Sequence, residues 1–492
     1  MTNHNGERYI CRRCLNSFRS DESLQKHREY CQNHDAVKVE MPSEANKYLS
    51  FKNYNRKMRV PFVIYADFEC FTESLDTSLP NDQKSYTVKY QRHKPSGYCY
   101  YIKCFDDNIC QPILRKYTAT FANEDVEDKF IISLENDIRD IYNKYLKFPR
   151  KMIFTVKDKI EYSKATTCHI CDGKINVKRI VCQGKAAHSS CGKKDSDVSK
   201  VNWKELFSEQ ICSICAKSFK DEKVRDHCHL TGKFRGAAHK SCNLKYKIPK
   251  FIPVIFHNLS GYDAHLFIKS LGKTKGEIDR IPVNEENYIS FTKRIAVDEY
   301  KDKKGEQKTV TREIRFIDSF KFMASKLSDL VENLPKESFK NITTCYSNEQ
   351  LLLLLRKGVF PYDWFDKFER LGANELPAKD TFYSRLNNED ISKDDYLHAQ
   401  KVWSTFQMST MREYHDLYLQ SDVLLLADVF ENFRDLCMKN YGLDPAWYYT
   451  SPGLSWDAGH KKTGVKLELL TDPDMLLFFE KGIRGGVSMI ST

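Results

Sequence analysis

The sequence predicts an α/β protein that carries small zinc-held modules, and three observations predict it. Strand-forming runs such as "VIYADFEC" (63–70) and "IPVIF" (252–256) alternate with the helical spacing of "YHDLYLQSDVLLLADVF" (414–430). The 17 cysteines fall largely in C-x-x-C pairs, which in a reducing compartment point to zinc rather than disulfides. Hydrophobic residues make up 41% of the 492 positions and aromatics 13%, enough to fill real cores and to exclude a mainly disordered chain. The start, "MTNHNGERYICRRC", lacks the apolar stretch of a signal peptide, and no run approaches the ~18 apolar residues of a membrane span. A soluble, intracellular protein with no membrane partner is expected, and a nuclear location is compatible with it.

The first strand places two acids side by side. On a strand, residues i and i+2 share a face, so Asp67 and Glu69 point to one spot. Two anions a few Å apart repel each other, more so when partly desolvated, unless a cation sits between them. Downstream, "IPVIFHNLSGYDAHLFIKSL" (252–271) reads as a buried strand, a Ser-Gly turn and a helix. Asn258, Tyr262 and Asp263 fall at that junction, where the carboxyl end of a strand often builds a site. In the later helix, Tyr418 and Asp422 lie at i, i+4 on one core-facing side.

The cysteines form three clusters. Cys11-x2-Cys14-x12-His27-x3-Cys31 resembles a ββα zinc finger with Cys31 in place of the last His, and Phe18 and Leu24 fall at its packing positions. Two further stretches repeat the same pattern: Cys168-x2-Cys171-x16-His188-x2-Cys191 and Cys212-x2-Cys215-x23-His239-x2-Cys242. Both open on C-x-x-C and close on A-A-H-x-x-C, so each is expected to fold around one zinc of its own, about three Zn²⁺ in all. The second also resembles the HNH-type fold of phage recombination endonucleases, in which D-H-x-H and a later C-N carry a nuclease metal. That likeness implicates Asp226, His227, His229 and Asn243, with Cys228 and His239 as departures from the usual pattern.

Charge concentrates in the same region. Residues 151–250 hold 22 Lys plus Arg against 10 Asp plus Glu, or +12, so that the rest of a chain of net charge +11 sums to −1. Such a window suggests a surface that faces nucleic acid, because phosphate neutralisation drives binding.

Taken in order, D-x-E on a strand, N-x3-Y-D at a strand–helix junction and Y-x3-D on a late helix resemble the three 3′–5′ exonuclease motifs of family B DNA polymerases. "FIDSFKFMASKLSDL" (316–330) is similar to the single-strand-binding segment of the protein-primed branch, with Ser319 and Phe320 matching. "KGVFPYDWF" (357–365) and "LPAKDTFYS" (376–384) resemble the large viral and Maverick or Polinton transposon enzymes of that branch. "GIRGGVS" (482–488) resembles the connector to the polymerase domain, with Ile483 where Tyr is usual.

The resemblance implies an RNase H-like exonuclease fold interrupted by the zinc insertion. Its domains would be a zinc finger (1–35), the two halves of the exonuclease (36–150 and 251–440), the insertion (151–250) and a connector (441–492). It implies two Mg²⁺ or Mn²⁺ ions ~3.5–4 Å apart, held by Asp67, Glu69, Asp263 and Asp422. Tyr418 would orient the attacking water, and Asn258, Tyr262, Ser319 and Phe320 would hold a single-stranded 3′ end. The family also places a lysine near the scissile phosphate, with Lys336 and Lys340 as the local options. Implied partners are DNA as primer-template and 3′ ends, a terminal protein as primer, and nucleotides where a palm domain is present. No D-x-x-S-L-Y-P-type or D-T-D motif follows in these 492 residues, so an N-terminal portion of a DNA polymerase involved in replication is expected, with the polymerising site outside this chain. The alternatives are a zinc-dependent nucleic-acid-binding protein with an inactive nuclease fold, or an HNH-type endonuclease.

Overall fold

A computed structural model describes residues 9–11, 13, 17–33, 41–74, 91–175, 223–283, 288–385 and 388–482. The chain divides into two compact units, one formed by Met1–Phe51 with Thr463–Thr492 and the other by Lys52–Lys462.

The larger unit is built on a seven-stranded mixed sheet. In chain order its strands are β1 (Phe62–Ser74), β2 (Gln91–Cys104), β3 (Ile113–Thr118), β4 (Phe251–Phe256), β5 (Glu277–Pro282), β6 (Tyr288–Lys301) and β7 (Gln307–Asp318). They lie side by side as β5-β6-β7-β4-β1-β2-β3. Strands β1, β2 and β3 are antiparallel, whereas β4 runs parallel to both β1 and β7. The sheet therefore closes across the long interval between β3 and β4, which holds the cysteine-rich insertion. Such a break is tolerable because the cost of loop closure grows slowly with length.

Alternation along β1 decides which helix packs on which face. Phe68 turns toward α1 (Val126–Ile141), where its ring meets Phe130 at 4.9 Å and joins Phe256 and Phe267 in an aromatic core. Each such ring contributes roughly 1.5–3 kcal/mol by leaving water. Tyr65, Asp67 and Glu69 turn the other way, toward α3 (Met411–Tyr441). This 31-residue helix starts where Glu413 accepts from the Ser409 and Thr410 amides. It ends at Gly442, whose φ of +59° is the left-handed conformation that glycine adopts without a Cβ penalty.

A buried ionic network fixes α3 against β1. Arg434, 1% exposed, donates to Asp444 at 2.7 and 3.0 Å, to Glu431 at 2.6 Å and to the Val60 carbonyl at 2.9 Å. Tyr65 donates to the same Glu431. Removing one partner would leave a buried charge uncompensated, a loss of about 3–5 kcal/mol. Asp444 thus serves as an anchor, and Asp457 likewise accepts from Asn53, Arg56 and Tyr448.

In the smaller unit, Tyr9–Ile10 and Ser17–Phe18 pair antiparallel ahead of a helix over Asp21–Cys31 capped by Ser20. Leu24 is buried, and the Phe18 ring lies 4.6 Å from that of His27. The expected ββα order is therefore present. Among the described residues no helix is long and apolar enough to cross a membrane.

Candidate metal and nucleic-acid site

The two acids that β1 places on one face meet α3 directly. Carboxylate oxygens of Asp67, Glu69 and Asp422 all lie within 4.8 Å of one another, and Asp263, opening the short helix α2 (Asp263–Phe267), shares their cleft of about 920 Å³. Glu69, Asp263 and Asp422 are nearly inaccessible. Burial, and then the Asp422 charge, pushes Asp67 up to about 7, with Lys357 and the Phe68 amide pulling it back. Burial followed by neighbouring carboxylates holds Glu69 and Asp263 well above the ordinary range. Asp422 is raised by burial, which Lys357 opposes. One oxygen each of Asp263 and Asp422 is buried without a hydrogen-bond partner. Repelling acids with orphaned oxygens fit a hard divalent cation, which prefers oxygen ligands.

The cation supplied by the protein is Lys357, whose ammonium lies 3.0 Å from Asp422. Burial depresses its pKa, but Asp422, Tyr362, Asp67 and Glu69 together outweigh that and raise it, so the amine stays charged. Neither lysine expected from the sequence reaches the cleft. Lys336 is exposed on a 3₁₀ turn, and Lys340 pairs with Asp435 at 3.7 Å beside a second cleft. Lys357 heads "KGVFPYDWF", the segment that brings Tyr362 to Tyr418. Their hydroxyls are 2.8 Å apart. Gly358 permits this approach, since a Cβ there would stand 2.9 Å from the Tyr418 ring.

Asn258 and Tyr262 line the cleft as expected, the Tyr262 hydroxyl bonding His93 Nδ1 at 2.7 Å. Arg92, His93, Lys94 and Lys269 add basic groups to the wall. Ser319 is fully buried rather than in the cleft lining, with its hydroxyl 3.0 Å from the Phe256 carbonyl and 2.9 Å from Nδ1 of His257, which does line the cleft. Phe320 is half-buried, its ring edge-on to His257 at 5.6 Å.

The cysteine pairing requires a correction. Among the described residues Cys168 and Cys171 converge with His239 and Cys242, whereas local spacing assigns these two pairs to separate zinc sites. The hairpin of Lys223–His227 and Phe234–His239 carries His239, and the His169 amide bonds the Ala237 carbonyl, laying the first knuckle along the second. Local spacing could not show this, because each C-x-x-C found an equally good A-A-H-x-x-C nearby in sequence. His239 Nδ1 faces the sulfurs of Cys171 and Cys242 at 3.4 and 3.7 Å while Nε2 lies 3.0 Å from the Lys174 carbonyl. Such an outer contact fixes the tautomer of a ligating imidazole. The finger brings Cys11, His27 and Cys31 together as expected. Cys14, His188, Cys191, Cys212, Cys215 and Ile483 lie outside the described residues. Both clusters have the soft ligand set of structural zinc sites.

The nuclease-like residues of the insertion are arranged less favourably. Asp226, 2% exposed, takes two bonds from Arg235 at 2.7 and 2.8 Å and lies 2.9 Å from His169 Nε2. Its carboxylate is thus committed within the module. The His227 and His229 rings stand 4.9 Å apart, and Asn243 is half-buried on the helix Lys240–Lys245.

Comparison with known proteins matches residues 243–488 to the family model described as DNA polymerase type B, organellar and viral. No curated protein and no solved structure gave a match. The matched half contains Asp263, Lys357, Tyr418 and Asp422, while Asp67 and Glu69 precede it. The acids outside the match complete the cluster begun by those inside it, and the chain belongs to the organellar and viral type B DNA polymerases.

Proposed function

We propose that this chain is the N-terminal portion of a protein-primed family B DNA polymerase acting in replication, as in viruses and Maverick or Polinton transposons, and that its cleft is a 3′–5′ exonuclease proofreading site. The observation that carries this reading is the convergence of Asp67, Glu69 and Asp422 within 4.8 Å in a cleft shared with Asp263 and Lys357. The order of three antiparallel strands followed by two parallel ones supports an RNase H-like fold.

Two Mg²⁺ or Mn²⁺ ions held by the four acids would supply an activated water and stabilise charge on the leaving 3′ oxygen. The chain's own groups do the rest. Burial pushes the Tyr418 phenol well above its ordinary pKa, so it stays protonated and orients water by donating a hydrogen bond rather than acting as a base. Lys357, charged at any physiological pH, can meet a non-bridging phosphate oxygen. Asn258 and Tyr262 hold the terminal nucleotide, with Phe320 offering a ring to an unpaired base, which is tolerant of sequence. About three structural zinc ions would hold the finger and the insertion, whose basic charge suits a DNA backbone. A terminal protein and a primer-template are the proposed partners.

A single-stranded oligonucleotide labelled at its 5′ end tests this. Progressive shortening with Mg²⁺ or Mn²⁺ is expected, no cutting of a single-stranded circle, and loss of about 10³-fold or more in Asp67→Asn and Asp422→Asn. Undiminished digestion by both variants would sink the assignment, and an opened circle would favour an endonuclease.

A further inference from the structure

Resting on the exonuclease reading, we infer that Asp318 is a positioning residue that sets affinity for the single-stranded end by locking together the two turns that would hold it. Asp318 closes β7 and is 1% exposed. Its Oδ1 accepts from the Asn258 amide at 2.9 Å and the Phe320 amide at 3.0 Å. Its Oδ2 accepts from the Ser260 amide at 3.1 Å and the Ser260 hydroxyl at 2.8 Å. One carboxylate therefore spans the turn after β4, which carries Asn258 and Tyr262, and the turn after β7, which carries Ser319 and Phe320.

Two features separate Asp318 from the acids of the cleft. Each of its oxygens already has two donors, whereas Asp263 and Asp422 each keep a buried oxygen without a partner, so Asp318 has no spare capacity for a cation. It also lies outside the cleft lining and the carboxylate cluster, and the hydrogen bonds it accepts all come from the two turns. What it does hold is a defined turn. Asn258 has φ of +69°, a left-handed conformation that asparagine adopts more readily than most residues other than glycine. The Asn258 amide bond to Asp318 fixes that turn, and with it how the Asn258 side chain is presented to the cleft.

Replacing Asp318 by Asn preserves shape but turns one acceptor oxygen into an amide nitrogen facing donors, freeing one turn from the other. Full-length chains carrying Asp318→Asn or Ser260→Ala are compared with the parent in two ways: anisotropy of a fluorescein-labelled oligothymidylate without added divalent ion, and turnover of the same strand with Mg²⁺. Asp318→Asn is expected to weaken binding and raise KM about tenfold, Ser260→Ala about threefold, each with kcat within about twofold. Unchanged affinity and KM in both variants overturn the inference, as does a fall in kcat with KM unmoved. A parent that binds the strand without shortening it overturns the exonuclease reading alone, since the affinity comparison still decides Asp318. A parent that does not bind overturns both. Should circular dichroism show that Asp318→Asn is misfolded, Ser260→Ala decides on affinity.

Discussion

Asp67, Glu69 and Asp422 project from a 13-residue strand and a 31-residue helix packed by large aromatic and aliphatic side chains, whereas Cys168, Cys171, His239 and Cys242 belong to a module whose described core is small. Among the described residues that module's core has seven buried members, and three of them are the ligand cysteines. In the cleft the scaffold is paid for by aromatic burial and the Arg434 network, and the carboxylates stand in mutual repulsion that Lys357 relieves only in part. In the module the ligands make up much of the described core. A divalent metal at the first site would relieve a repulsion that the fold imposes; a zinc at the second would help make the fold.

The largest expected effect follows from that contrast and also tests the pairing across the insertion. Structural zinc contributes on the order of 10 kcal/mol to modules of this kind, so Cys168→Ala and Cys242→Ala should each release one zinc and open residues 165–175 and 223–246 to proteolysis. The double variant should lose the same single ion. Loss of two ions in the double variant would restore the pairing that local spacing suggests. By contrast, Asp422→Asn should leave every zinc in place and the main unfolding transition at or above its original temperature, since it removes a repulsive charge.

The next effect concerns pH. Asp67 has its folded pKa raised to about 7 from an unfolded value near 3.8, so the stability it contributes is full below pH 4 and is lost as pH climbs through 7. Without added divalent ion, the protein should lose about 1–3 kcal/mol between pH 5 and pH 8, read as a falling melting temperature. Asp67→Asn should flatten the slope, and Mg²⁺ should restore stability at the upper end. A melting temperature that rises over this range would remove the repulsion on which the contrast depends.

How far the sequence disclosed each region follows from the range of the interactions. The acids were legible because a strand's two-residue period and a helix's i, i+4 period act locally: Asp67 with Glu69, and Tyr418 with Asp422, needed no knowledge of the fold. The ββα finger was legible for the same reason. Lys357 was not, because its partner Asp422 lies 65 positions away and nothing in its own segment announces a charge pair. Cys168 finds His239 across 71 positions, a closure that spacing rules cannot rank against a nearer one. Ser319 was read as facing the strand end because motifs record order and not orientation; the Phe256 carbonyl and His257 turn its hydroxyl inward.

The smallest predicted effect probes the close packing beneath the cleft. In Gly358→Ala the new methyl group would stand 2.9 Å from the Tyr418 ring, displacing the phenol that faces the acids. Cleavage should fall about tenfold with stability changed by about 1 kcal/mol or less. An equal loss in the insertion's zinc content would mean that the two regions are not independent.

The most direct test of the contrast is a Mn²⁺ titration of the zinc-loaded chain near pH 7, followed by the loss of the free-ion electron paramagnetic resonance signal. The parent is expected to take up about two Mn²⁺ ions with release of protons, because Asp67 and its neighbours are partly protonated there, and Asp422→Asn is expected to lose at least one of them while keeping its zinc. Parent protein that binds no Mn²⁺, or Asp422→Asn that binds as many ions as the parent, would contradict a metal site at Asp67, Glu69 and Asp422.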